Sequence, residues 1–225
     1  MKTPSVVAAL KSAPFEKLLV LGFAQHGGKE FRRVAHDVAQ FVFVHVETRS
    51  HREFAIEYSS ILLWVPQDRA SLAHGGRFPI GAAGRWYRAE PDERLAQSVE
   101  KVAADLDPLV RWFEASATLR GFLETYREHV QRQPPLNVTN GHTPFTFACG
   151  YAAAGDLAAA RVHAEKAKAE LQAIHASFVA QFPRETHWAP AYIERCAELL
   201  DAIDRQGVAP LLAKWRNHTS TALEL

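Results

Sequence analysis

The chain has 225 residues, 48% of them hydrophobic and 23% charged, with a net charge of +1. That composition suits one large domain or two small ones with a real core, and it gives no overall charge to drive the chain onto nucleic acid or a membrane. The first 90 residues hold 12 Lys/Arg against 8 Asp/Glu and the remainder 14 against 17, a tilt too mild to make the footprint of a nucleic-acid binder.

In chain order, residues 4–21 read as helical, with Val6, Val7, Leu10, Phe15, Leu18, Leu19 and Val20 on an apolar face. Pro14 either starts a second turn after Ser12 or marks a kink, and Gly22 is placed to end the helix in the left-handed conformation. Ala24 to Lys29 reads as a polar loop. Three strands follow: Phe31–His36, then Phe41–Thr48 after a tight turn at Asp37, then Glu53–Trp64 after a polar hairpin loop. The second is apolar on both faces, as a central strand is. The third alternates, with Phe54, Ile56 and Tyr58 on one face and Glu53 and Glu57 on the other. Short links imply antiparallel pairing. Residues 67–83 read as a long loop, and 84–88 as a fourth, edge strand.

Pro91 opens a helical half. Leu95, Val99, Val102, Leu106, Leu109 and Phe113 follow the amphipathic period, with Asp107-Pro108 set to bend or split the helix. Ser116 is placed to cap a second helix that ends at Pro134-Pro135. Thr143-Pro144 has the pattern of a cap plus first-position proline, and this helix stops at Gly155. Asp156 then caps a long helix to about residue 181. Two more helices begin near Pro190 and Ala209. The expected fold class is therefore α+β: an N-terminal helix on an antiparallel three- to four-stranded sheet over residues 1–90, followed by an α-helical C-terminal region over 91–225.

Two resemblances emerge. A helix, Gly22-Phe23, a glycine turn, Phe31-Arg32-Arg33, two strands, a long loop and Trp86 before a helix with Leu95 resemble the ordered landmarks of a bacterial family catalogued as domain of unknown function 4304. The likeness spans residues 1 to about 130 and implies no activity or site. Tyr151 to Ala160, with Ala164 and Ala167, is similar to the middle of a tetratricopeptide helical hairpin, near residues 143–170. No second copy stands at the roughly 34-residue period of such arrays, so the generic reading is an Ala-rich hairpin.

Chemistry-bearing patterns are sparse. His45 and Glu47 share a strand face; Arg49 continues the row and Arg32 can join it from the neighbouring strand. Over a floor of Phe41 and Phe43, this quartet is the expected ligand-binding set for an acidic or phosphate-bearing molecule. His26-Gly27-Gly28-Lys29 and His74-Gly75-Gly76-Arg77 are near-copies, readable as anion-receiving nests or as surface loops. The eleven histidines show no zinc spacing, and Cys149 and Cys196 lie in apolar settings without a disulfide framework. No catalytic pattern stands out, and no cofactor or metal is expected. Met1-Lys2-Thr3-Pro4 leads into no signal-peptide pattern, and no run is long enough to span a membrane. The expectation is a non-catalytic, cytoplasmic, bacterial protein-interaction module with another protein as partner, for instance an immunity or toxin-neutralising protein. The alternative is an enzyme or binder of a phosphorylated small molecule or nucleotide that uses Arg32, His45, Glu47 and Arg49.

Overall fold

A computed structural model describes residues 4–48, 52–70, 73–80, 85–132, 141–183 and 185–225. The protein is α+β, with an antiparallel sheet followed by a helical C-terminal region. It divides into two compact units, one of Met1–Ile61, Ala70–Thr125 and Leu225, the other of Leu62–Arg69 and Tyr126–Glu224. The change from strands to helices read at residue 90 lies inside the first unit, because the long helix that follows Pro91 packs on the sheet. No helix among the described residues is long and apolar enough to cross a membrane.

In the first unit the chain opens with α1 (Pro4–Ser12) and α2 (Glu16–Val20); the break around Pro14 makes two helices of the single expected stretch. Gly22, at φ +91°, closes α2. Its N–H donates to the Leu19 carbonyl at 2.9 Å and the Phe23 N–H to Leu18 at 3.0 Å, the paired bonds of a left-handed helix end. The strands are β1 (Ala24–His26), β2 (Glu30–Ala35), β3 (Val38–Val46), β4 (Glu53–Leu62), β5 (Gly75–Arg77) and β6 (Tyr87–Arg88). Their order is β1-β2-β3-β4-β5, with β6 also paired to β4.

Two strands escaped the sequence reading. β1 was expected to be loop, since three partly exposed residues carry no alternation to detect. β5 was expected to lie in the long loop, and its glycines look like loop residues. Gly75 is there for close approach: a Cβ on it would stand 2.0 Å from the Tyr58 carbonyl oxygen on β4.

One face of the sheet carries Phe31, Val42, Val44, Val46, Phe54, Ile56 and Tyr58, all buried. Against it lie Val6, Leu10, Phe15 and Leu18, together with Leu95, Val102, Leu106, Leu109 and Phe113 of α3 (Asp92–Ala115). The 3.6-residue period of α3 supplies that seam. Pro108 does not split the helix, which continues to Ala115 with Leu106 and Leu109 buried on either side of the missing bond. Ser116 does not cap the next helix. It ends α3, receiving Gln40 Nε2 at 2.9 Å, while Thr118 Oγ1 accepts the Gly121 N–H at the start of α4 (Leu119–Arg132).

The second unit holds the later part of α4, α5 (His142–Ala153), α6 (Leu157–Gln181), α7 (Ala189–Asp204) and α8 (Val208–Ala222). α5 begins one residue before Thr143, with no side-chain cap. The Gly141 N–H instead donates to Glu170 Oε2 at 2.8 Å. α5 and α6 form the expected helical hairpin, with Asp156 accepting the Ala159 N–H at 3.0 Å. α5 buries Ala148, Cys149 and Ala152 and α6 buries Ala160, Ala164 and Ala167, and residues this small permit packed helices to approach closely.

β3 is buried on both faces from Val38 to Val42, but its outer side opens beyond, where Phe43 is only half-buried and His45 is exposed. Truncation therefore separates the faces. Phe54→Ala, which empties a site of 0% exposure, is expected to cost about 3–5 kcal/mol, and Phe43→Ala clearly less. Urea denaturation of both variants checks this; equal losses would contradict the assignment of the inner face.

Candidate functional site

Strand alternation sends the complementary set of side chains to the outer face. On β2 these are Glu30 and Arg32; directly opposite on β3 are Phe43 and Phe41. Glu57 on β4 faces Arg77 on β5, and Glu53 faces Arg88 on β6. The charges neutralise one another locally. Arg32 Nε lies 2.8 Å from Glu30, Arg77 2.9 Å from Glu57, and Arg88 3.1 Å from Glu53. Phe41 and Phe43 stack at 5.9 Å. The Arg77 guanidinium lies 5.1 Å above the Trp86 ring, and that ring meets His45 edge-on at 6.2 Å.

The expected quartet does not assemble as a unit. Arg32 lies level with Phe41. His45 is four residues further along β3, about 13 Å at the usual strand rise. Glu47 follows β3, its N–H donating to the Glu53 carbonyl at 3.0 Å. Arg49 lies outside the described residues. What the fold brings to His45 is the first Gly-Gly turn. A hollow of about 520 Å³ is lined by His26, Gly27, Gly28, Lys29, Glu30, Phe43, Val44 and His45, and the Val44 N–H donates to the Lys29 carbonyl at 2.8 Å. The sequence contained the signal for this meeting: the tight turn at His36-Asp37 fixes the β2–β3 register, and that register carries the β1–β2 turn to the level of His45.

The second Gly-Gly copy does something else. His74 is 2% exposed, with Nδ1 3.0 Å from Ser60 Oγ and its ring edge-on to Trp112 and Phe122 at 4.9 and 4.6 Å. It is a core residue beside strand β5, so the copy is neither a surface loop nor a nest.

A different cluster lies in the helical unit and was not visible as a cluster in the sequence. Phe178 stacks on His187 at 4.2 Å and meets Phe182 at 5.2 Å. His187 leads to Trp188 at 5.1 Å, and His142 lies between Trp188 at 4.6 Å and Tyr192 at 4.2 Å. Arg195 covers Tyr192 at 4.9 Å. Burial, and after it the charge of Arg195, hold the His142 imidazole below its ordinary value; it therefore packs as a neutral ring at pH 7. Val179, Phe182 and Trp188 are 42–45% exposed, so the outer edge of the cluster is open to solvent.

Among the described residues, no group of three or more His, Cys, Asp or Glu side chains is placed to hold a metal. Comparison with family models, curated proteins and solved structures gave no match.

The two cysteines are buried. Desolvation pushes the Cys196 thiol up to about 12 and the Cys149 thiol well above its usual value. Neither supplies thiolate at neutral pH. Both are expected to resist a disulfide reagent at pH 8 and to react fully in denaturant. A fast native phase would contradict their placement.

Proposed function

We propose that this protein is a non-catalytic interaction module that binds another protein through the aromatic–imidazole patch where α6 ends and α7 begins. The observation that carries the reading is the half-exposure of Phe182 and Trp188, each 45%, beside Val179. Large apolar side chains packed into one exposed cluster mark contact surfaces, and Trp, Tyr, Phe and Arg are the residue types enriched there. Phe182 packs on Phe178 at 5.2 Å and Trp188 on His187 at 5.1 Å, and rings held by neighbours lose less freedom on binding. Binding in the cytoplasm to a partner such as a toxin to be neutralised is the concrete version of this reading.

A second reading rests on the hollow beside His45. Lys29, His26 and the Gly27-Gly28 turn suit a phosphate-bearing small molecule, with Arg32 engaged by Glu30 rather than by ligand. Affinity capture from the native host, followed by pairwise titration of the recovered partner, separates the two. A bait carrying Phe182→Ala and Trp188→Ala is expected to lose its recurrent partner, while a His45→Ala, Lys29→Ala bait keeps it. The reverse pattern would overturn the interaction reading in favour of the sheet hollow.

A further inference from the structure

The segment between α6 and α7 returns His187 to the side of His175 on α6. The two Nδ1 atoms are 3.3 Å apart. The ring planes differ by 12° and the centroids are 5.4 Å apart. Because the centroids are further apart than the nitrogens, the rings lie side by side with their Nδ1 edges facing. As they stand, the two rings share one proton, with either able to donate to the other.

This spacing has a second meaning. Zinc holds imidazole nitrogens at about 2.0–2.1 Å in tetrahedral geometry, so two such nitrogens on one ion stand about 3.3 Å apart. We infer that His175 and His187 form a two-imidazole site for a borderline divalent cation of the Zn²⁺ class, with water completing the coordination. Imidazole is a ligand type that this class of ion favours. On binding, the ring that carries its proton on Nδ1 shifts to the Nε2–H tautomer, so that each neutral ring gives one Nδ1 lone pair to the cation, after a small in-plane rotation of the rings.

The surroundings favour such a site. Phe178 lies against the His187 ring at 4.2 Å and 17°, and Trp188 packs on it at 5.1 Å. These apolar walls fix the ring's orientation and limit water around it. The two histidines already meet across their twelve-residue separation, so a cation there adds little further loop-closure cost. The site stands on this geometry alone and does not depend on the interaction reading, although a cation there would also fix the neighbouring Trp188.

The test is a calorimetric titration of the full, tag-free, chelator-washed chain with ZnCl₂ in a non-coordinating buffer. Tryptophan fluorescence under CuCl₂ gives an independent readout, because Trp188 lies next to the site. The expected result is saturable binding of one Zn²⁺ per chain with a micromolar dissociation constant. His175→Ala and His187→Ala are each expected to weaken it by about tenfold or more, and to remove the early phase of Cu²⁺ quenching. His175→Gln, which keeps a polar side chain on α6, guards against a misfolded Ala variant, and circular dichroism checks each fold. His36→Asn, in the other unit, is expected to change nothing. No saturable binding at millimolar Zn²⁺, or an unchanged dissociation constant in the folded His175 and His187 variants, would overturn the assignment.

Discussion

Arg33 ties two helix ends to one strand. Its Nη1 donates to the Leu21 carbonyl at the end of α2 at 2.7 Å, its Nη2 to the Phe113 carbonyl near the end of α3 at 3.3 Å, and its Nε to Gln40 Oε1 on the neighbouring strand at 2.6 Å. Gln40 in turn donates to the Phe113 carbonyl at 2.7 Å and to Ser116 Oγ at 2.9 Å. The last carbonyls of a helix have no partner within the helix and favour a cation nearby. A guanidinium, with five donors in a fixed fork, can satisfy two such ends at once. Burial lowers the Arg33 pKa from its ordinary value and Glu114 opposes that effect; with a starting value so high, the group stays charged. Its plane also lies over Phe23 at 5.2 Å, so the polar lock is embedded in the apolar layer.

The lock sets which face of the sheet is available. With α2 and α3 fixed on the inner side, the alternating residues of β2, β3 and β4 have only the outer face left. There the charges pair across strands at Arg77–Glu57 and Arg88–Glu53. Exposed pairs of this kind contribute little stability, but they use up the cations that a ligand site on the sheet would need. This is why the sheet offers a hollow at the β1–β2 turn rather than an open cationic surface.

Much of the fold could be read from periodicity. The alternation of Phe54, Ile56 and Tyr58 and the seam from Leu95 to Phe113 each reflect burial on a regular element and match the structure, whereas β3 starts at Val38, three residues before the expected Phe41, and opens to solvent on one side beyond Val42. The Gly155-Asp156 turn was legible because a cap and a left-handed glycine are local chemistry. The misses were non-local. β5 is a strand because of what Gly75 touches on β4, not because of its own residues. Ser116 serves the end of one helix rather than the start of the next, because Gln40, 76 positions away, reaches it. In Arg32-Arg33 the sequence drew attention to the wrong member for structure: the outward one pairs with Glu30, while the inward one organises the layer. The patch of His142, Phe178, His187, Trp188 and Tyr192 draws on three separate stretches of chain, so no spacing rule could reveal it, and the His175–His187 approach is invisible for the same reason.

The central claim is that Arg33 and Gln40 act together to hold the α2 and α3 ends on β2 and β3. A double-mutant cycle on unfolding free energy with Arg33→Lys and Gln40→Ala measures it most directly. Lysine keeps the charge, but its compact ammonium lacks the planar fork that spans these separated acceptors. Each single change is expected to cost on the order of 1–3 kcal/mol, and the pair is expected to be non-additive by about 1 kcal/mol or more. Additive losses within about 0.3–0.5 kcal/mol, or an Arg33→Lys variant as stable as the parent, would contradict it.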